Sequence, residues 1–281
     1  MIEHQQFLDR IIRFALEEDL GPGDLTTEAV VNPAALGRAS LIAREELVLA
    51  GLFVFKRVFA EVSPEIGFEE FFKDGELVPS GVRVCLVSGP LSQILIGERT
   101  ALNFLQRMSG IATLTRQYVE KLGDSGPRVL DTRKTAPGLR YLDKYAVRAG
   151  GGFNHRFGLF DGVLIKDNHI AAAGSVAGAV KLARENSSHT VKIEVEVEDL
   201  TGVEEALKAG ADTILLDNMS PKQLSEAVAI VKGRALVEAS GGITLKTIEA
   251  VGKTGVDLVS VGALTHSARA ADFSLEIVPE G

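Results

Sequence analysis

The 281 residues are 46% hydrophobic, enough to fill one large core or two medium ones, and 30 Lys and Arg stand against 38 Asp and Glu for a formal charge of −8. That acidic balance argues against nucleic acid as a partner, and the single cysteine, Cys85, excludes an internal disulfide framework and fits a reducing compartment. No run approaches the roughly 18 apolar residues of a membrane span, and the mixed-charge N-terminus has no secretory h-region, so a cytoplasmic protein with no membrane partner is expected.

Phe7, Leu8, Ile11, Ile12 and Ala15 recur at helical spacing and predict a surface helix over 5–18, stopped by Gly21-Pro22-Gly23. Residues 38–88 mix strand-like runs (39–43 and 82–87) with a helical one (53–62), which reads as an α+β lobe. A long helix is predicted over 91–108, interrupted at Gly110 and followed by a second helical run over 111–122. Beyond Gly126-Pro127 the texture becomes strand then helix. Strands are predicted over 128–130, 162–165, 191–197, 213–216, 235–238 and 257–261, with helices over 139–149, 175–185, 200–209, 221–231 and 245–251 between most of them. Short apolar strands in βα units mean a parallel sheet buried on both faces. Periodicity does not decide between an open sheet and a closed one; the regular repeat, without a single Gly-rich dinucleotide fingerprint, favours an α/β barrel of fewer than eight units.

Chemistry in such a fold sits at the carboxyl ends of the strands. Residues 128–166 hold eight Lys or Arg against three Asp, a basic stretch in an acidic chain and so a means of concentrating a small polyanion. Arg133, His155, Arg156 and Lys166 fit a clamp for a small dianion, because the Arg fork matches a planar carboxylate and Lys supplies a compact charge. Glu196 and Asp217 offer the hard oxygens that Mg²⁺ takes together with waters and phosphate. Ser240-Gly241-Gly242 and Gly262 expose backbone N–H groups where barrels of this kind bind phosphate. Blander readings exist for each. A strand-end Asp is often a helix N-cap, Gly-Gly is often a turn, and the alternation Glu194, Glu196, Glu198 often marks a solvated edge. Lys166 has two further readings, a structural ion pair with Asp167 and a Schiff-base nucleophile.

The segments Gly97–Asn103 (GERTALN), Asp131–Thr135 (DTRKT), Gly151–Arg156 (GGFNHR), Leu164–His169 (LIKDNH), Leu215–Asn218 (LLDN) and Val261–Ser267 (VGALTHS) together resemble the quinolinate phosphoribosyltransferase family, in unbroken order from about Ile94 to Ser267. The resemblance implies an N-terminal α+β sandwich domain over 1–110, joined by residues 268–281, and an incomplete parallel α/β barrel over 111–267. It implies transfer of the phosphoribosyl group of phosphoribosyl pyrophosphate to quinolinate with decarboxylation, giving nicotinate mononucleotide, pyrophosphate and CO₂ for NAD biosynthesis. Carried over by motif, Arg133, His155, Arg156 and Lys166 would hold the quinolinate carboxylates, and Lys134, Glu196 and Asp217 would serve phosphoribosyl pyrophosphate and its Mg²⁺. Ser240, Gly241, Gly242 and Gly262 would take the 5′-phosphate, with Thr132, Val261 and Ala263 completing the binding set; Lys134, Lys166, Glu196 and Asp217 form the implied catalytic group. Arg99 would reach into a neighbouring subunit's site, which makes a homodimer the minimum assembly. Ala239 stands where relatives can carry a second serine before Ser240, a departure that removes no charge.

Overall fold

The computed structural model describes residues 2–278, with side chains described from Gln6 onward. The chain divides into two compact units, one taking in the chain up to Leu114 together with Tyr141–Gly150 and the segment from Ala268, the other Thr115–Arg140 and Gly151–Ser267. Of the C-terminal segment expected to join the first domain, residues 279–281 lie outside the described residues.

The first part of the chain runs α1 (Ile2–Leu20), α2 (Leu25–Val30), β1 (Leu36–Ala43), β2 (Leu47–Val48), α3 (Leu52–Val62), β3 (Gly67–Glu70), β4 (Leu77–Val78), β5 (Arg83–Pro90) and α4 (Leu91–Leu122). The remainder runs β6 (Arg128–Leu130), α5 (Arg140–Ala149), β7 (Val163–Ile165), α6 (Asp167–Ala173), α7 (Val176–Asn186), β8 (Ile193–Val197), α8 (Leu200–Ala209), β9 (Thr213–Asp217), α9 (Pro221–Val231), β10 (Leu236–Ser240), α10 (Ile248–Gly252), β11 (Leu258–Ser260), α11 (Ala263–His266) and β12 (Phe273–Val278).

In the first unit, β12, β1, β5 and β3 form an antiparallel sheet in that order, with β2 and β4 pairing separately. The apolar face of α3, with Phe55 and Phe59 fully buried, supplies the aromatic core, and Phe68 of β3 packs edge-on against Phe55. Arg57 of α3 donates to Asp9 of α1 at 2.9 Å. Asp74 accepts from the N–H groups of Gly51 and Leu52 at 2.9 and 3.0 Å, satisfying donors at the start of α3 that have no partner within the helix.

The expected interruption at Gly110 does not occur, since α4 runs unbroken through it. The glycine serves close approach instead. A Cβ there would lie 1.9 Å from the Arg269 carbonyl oxygen, and the neighbouring Ala271 N–H donates to the Gln106 carbonyl at 2.9 Å, so the segment leading into β12 crosses the bare face of α4.

The second unit is built on six parallel strands in the order β6-β11-β10-β9-β8-β7. This is the expected incomplete barrel: the strands follow one another round the sheet, but β6 and β7 do not pair. Phe153 covers part of that opening by forming an isolated parallel bridge to Leu130, its ring lying beneath the Arg128 guanidinium at 5.0 Å. Most strand positions are buried (Val129, Ile165, Ile193, Val195, Ile214, Leu216, Val237, Ala239, Val259), as a sheet covered on both faces requires. The helices start where cap residues permit: Ser175 before α7, Asp199 before α8 and Ser220 before α9 each accept from a first-turn N–H. Among the described residues no helix is long and apolar enough to cross a membrane.

Gly110→Ala should therefore destabilise the protein by about 2–3 kcal/mol through overpacking against the Arg269 backbone, although alanine is the better helix former. Thermal melting is the measurement; a Tm at or above the parent's would mean that the crossing yields at no cost.

Candidate active site

Because all six strands are parallel, their carboxyl ends share one rim, and the cavity there has a volume of about 590 Å³. It is lined by Thr132, Arg133 and Lys134 after β6, His155 and Arg156, Lys166 after β7, Glu196 on β8, Asp217 and Asn218 at the end of β9, Glu238 and Ser240 on β10 with Gly241 and Gly242 beyond, and Ser260 on β11. Among the expected residues, Gly262 is not in the lining but lies beside it, where a side chain would meet Lys134 Cδ at 3.0 Å; Val261 and Ala263 flank it in sequence and also stay out of the lining. Arg99 belongs to the other unit, on α4.

Three segments carry the cavity's cations, and two acids hold the one that bears Arg156. Asp131, at the end of β6 and fully buried, accepts the His155 N–H at 2.9 Å and the Asn154 side-chain amide at 2.5 Å, which fastens the Gly151–Arg156 loop to the strand. Asp161 closes the next turn by accepting the N–H groups of Phe157 and Gly158 at 2.6 and 2.8 Å. Arg140 stitches the two loops together, donating to Thr135 Oγ1, the Phe157 carbonyl and the Arg133 carbonyl. The basic stretch is thus only partly a binding surface. Four of its eight cations line the cavity, whereas Arg128 stacks on Phe153, Arg140 is structural, and Lys144 and Arg148 lie in the other unit.

Arg156 is aimed by its own hydrogen bond to the Gly162 carbonyl at 2.9 Å, while its Nε–H is buried without an acceptor. Burial first, then the charge of Arg133, pulls its guanidinium below the ordinary range, the signature of two cations sharing a small volume. An anion between them would relieve both effects. Lys166 caps α6 in extended conformation, and its backbone N–H is held by His169 Nδ1 at 3.0 Å. Its ammonium pairs with Glu196 on the neighbouring strand, and not with Asp167 as the blander reading of Lys166 had it.

Glu194 and Glu196 share one side of β8, with Glu194 buried and Glu196 half-buried at the cavity, whereas Glu198 lies past the strand's end and is exposed. Glu196 gives one carboxylate oxygen to Lys166, and Asp217 gives one to the Asn218 side chain at 2.7 Å. Each keeps another oxygen. Two carboxylates at neighbouring strand ends are too few to cage a metal, but they suit Mg²⁺, which keeps waters and takes further oxygens from a phosphorylated substrate.

Beneath this layer lies a group that sequence reasoning missed. His155 Nε2 sits 3.0 Å from Glu194 Oε2 and 3.7 Å from Glu238 Oε1, and both carboxylates have a buried oxygen with no hydrogen-bond partner. The three ligand atoms lie within 4.8 Å of one another. The Arg156 amide donates to His155 Nδ1 at 2.8 Å, which leaves Nε2 facing the two carboxylates. Both ring nitrogens are engaged within the protein. Arg133, Arg156 and Lys166 stand at the same cavity as His155. Glu238 is pushed up to about 8, by burial first and by Glu194 second, with His155 opposing. The only sign of the cluster in the sequence was the inward side of β8; nothing marked Glu238 within its apolar strand.

Comparison with known proteins identifies the family. The quinolinate phosphoribosyl transferase C-terminal domain matches residues 111–276 and the N-terminal domain of the same enzyme matches residues 24–109. The chain belongs to the quinolinate phosphoribosyltransferase family. It is 43% identical over 270 residues to the probable nicotinate-nucleotide pyrophosphorylase [carboxylating] of Bacillus subtilis (strain 168), covering 96% of this chain and 93% of that protein. Among solved structures, NadC from Streptococcus pyogenes superposes with a TM-score of 0.94 at 47% identity over 96% of each chain. The nicotinate-nucleotide pyrophosphorylase from Francisella tularensis does so with a TM-score of 0.92 at 40% identity, over 97% of this chain and 96% of the other. Two such structures sharing the fold place the incomplete barrel and its antiparallel companion as family properties.

The Glu238 carboxyl gives a pH prediction. Below its unfolded pKa of 4.5 both states hold the proton; between 4.5 and about 8 only the native state does, so stability falls as pH rises through that window and the loss is complete above it. Glu238→Gln imitates the protonated form and lacks this dependence. The difference in Tm between variant and parent should shift in the variant's favour from about pH 5 to about pH 8.5; a difference that stays constant with pH would mean Glu238 is not protonated in the native state.

Proposed function

We propose that the cavity joins quinolinate to phosphoribosyl pyrophosphate, releasing pyrophosphate and CO₂ and leaving nicotinate mononucleotide. The observation that carries this reading is the convergence of Arg133, Arg156 and Lys166, from separate loops, on one cavity that also presents Glu196 and Asp217. A monocarboxylate would not call for three cations, and a cavity that only bound a dicarboxylate would have no use for the acids beside them.

In this reading Arg133, His155, Arg156 and Lys166 hold the two carboxylates of the pyridine. Glu196 and Asp217 face the ribose and pyrophosphate with Lys134, and the turn Ser240–Gly242 and Gly262 take the 5′-phosphate. Glu196 and Asp217 would hold Mg²⁺, which when bound neutralises charge on the departing pyrophosphate. Loss of pyrophosphate leaves cationic character on the anomeric carbon, held close to the carboxylates of Glu196 and Asp217. The pyridine nitrogen, oriented by the clamp, forms the new C–N bond. The ring nitrogen is then positive and stabilises the electron pair left on the adjacent ring carbon when its carboxylate departs as CO₂, and that carbon takes a proton from water, so decarboxylation follows nucleotide formation. Lys166 acts as an ammonium held by Glu196, which disfavours the Schiff-base alternative, since that nucleophile must be neutral. Arg99 from a second copy completes the site, making the working assembly a homodimer or a larger assembly built from dimers, and the cytoplasm supplies its phosphorylated substrate.

Purified protein given quinolinate, phosphoribosyl pyrophosphate and Mg²⁺ should release CO₂ and mononucleotide together; nicotinate in place of quinolinate should give little product. Arg133→Ala should weaken quinolinate binding by about 2–5 kcal/mol while phosphoribosyl pyrophosphate binding is largely kept, and equal quinolinate affinity by calorimetry would exclude that role. Asp217→Asn should slow pyrophosphate release and alter its Mg²⁺ dependence; a parental Mg²⁺ titration would show the acid is assigned wrongly.

A further inference from the structure

We propose that Asn218 is a positioning residue that fixes the Asp217 carboxylate and the Ser240–Gly242 turn to each other, so that the acid and the phosphate-binding backbone of the proposed site act as one unit. The inference rests on the proposed reading of the cavity and adds a residue to it. Asn218 sits in the left-handed region, with φ of 54°. It is one of two non-glycine residues with positive φ among the described residues, and the other, Lys232, only ends α9. A left-handed residue is uncommon at a strand end unless something holds it there, and asparagine tolerates the conformation better than most.

Three contacts use that conformation. The Asn218 N–H donates to the Ser240 carbonyl at 2.9 Å, continuing the β9–β10 ladder one residue past its end. The side-chain Nδ2 donates to Asp217 Oδ2 at 2.7 Å. This engages one carboxylate oxygen and fixes the rotation of the other. The carboxamide oxygen occupies the space where Gly241 would carry a side chain: a Cβ at Gly241 would lie 2.3 Å from Asn218 Oδ1, with Gly241 itself at φ of 87°. Gly241 is therefore glycine for two reasons, its own backbone and the amide packed against it. Asn218, Asp217, Ser240, Gly241 and Gly242 all line the cavity.

A residue that orients a carboxylate from behind contributes without touching the reacting atoms, and loss of such partners typically costs about 10- to 100-fold. Asn218→Gly is the informative variant. Glycine keeps the left-handed backbone without strain and removes only the carboxamide, whereas Asn218→Ala removes the carboxamide and adds strain. Steady-state kinetics should show kcat/KM for phosphoribosyl pyrophosphate lowered about 10- to 100-fold in Asn218→Gly, a higher Mg²⁺ concentration at half-maximal rate, a KM for quinolinate close to the parent's and an unchanged Tm. Asn218→Ala should show the same split with a lowered Tm. Asn218→Gly at parental values in all four measurements would overturn the inference and leave the proposed reaction standing, as would an equal loss toward both substrates. A parent protein that makes no mononucleotide from the two substrates would overturn the proposed reaction and this inference with it.

Discussion

Arg133, Arg156 and Lys166 repel one another across a cavity of about 590 Å³, and the acids around them make the arrangement tolerable. Glu196 balances Lys166 directly. Asp131 and Asp161 work through the backbone, accepting N–H groups of His155, Phe157 and Gly158 so that the loop carrying Arg156 cannot swing outward into water, where its guanidinium would be better solvated, and Arg140 ties that loop to the Arg133 carbonyl. The fold meets the same requirement at a larger scale. Parallel strands end on one rim, so residues from 132 to 260 meet at a single cavity. An antiparallel sheet would have sent alternate loops to opposite ends.

The opening between β6 and β7 belongs to the same logic. Closing the barrel would require these strands to pair; instead the chain places the Gly151–Arg156 loop there and borrows one bridge, at Phe153, from the exposed edge of β6. The gap is thus partly filled by the segment that bears His155 and Arg156. A strand edge left bare is a liability. Here it anchors a loop whose next residues line the cavity.

Much of this was legible in the sequence because parallel strands buried on both faces leave short, uninterrupted apolar runs, and 128–130, 213–216 and 221–231 were placed to within a residue or so. Arg133, Lys134, Lys166 and Asp217, at or just past the ends of such runs, line the rim cavity, whereas Asp131 is fully buried and holds a loop. What the sequence hid were pairings across space. Lys166 has an acid beside it in sequence and another on the next strand, and only the sheet order shows that the second is its partner. Gly110 read as a helix breaker because propensity counts its missing side chain only as lost stability; its reason is a carbonyl 159 residues further along the chain. Glu238 was invisible for a third reason. A single Glu in a strand reads as an exposed position, and its burial depends on Glu194 and His155 arriving from two other segments.

That buried group also resolves a tension in the chemistry. A clamp strong enough to gather a dianion from water holds both carboxylates tightly, yet the second step of the proposed reaction requires one of them to leave as neutral CO₂, and every cation paired to it raises that barrier. Glu194 and Glu238 stand beside His155, which lines the same cavity, and Glu238 is pushed up to about 8 by burial first and by Glu194 second, with His155 opposing. The pocket thus sets acids against its cations instead of adding cations without limit. In the proposed reaction that balance bounds how tightly a substrate carboxylate is held, and the one held less tightly is the one that can be lost.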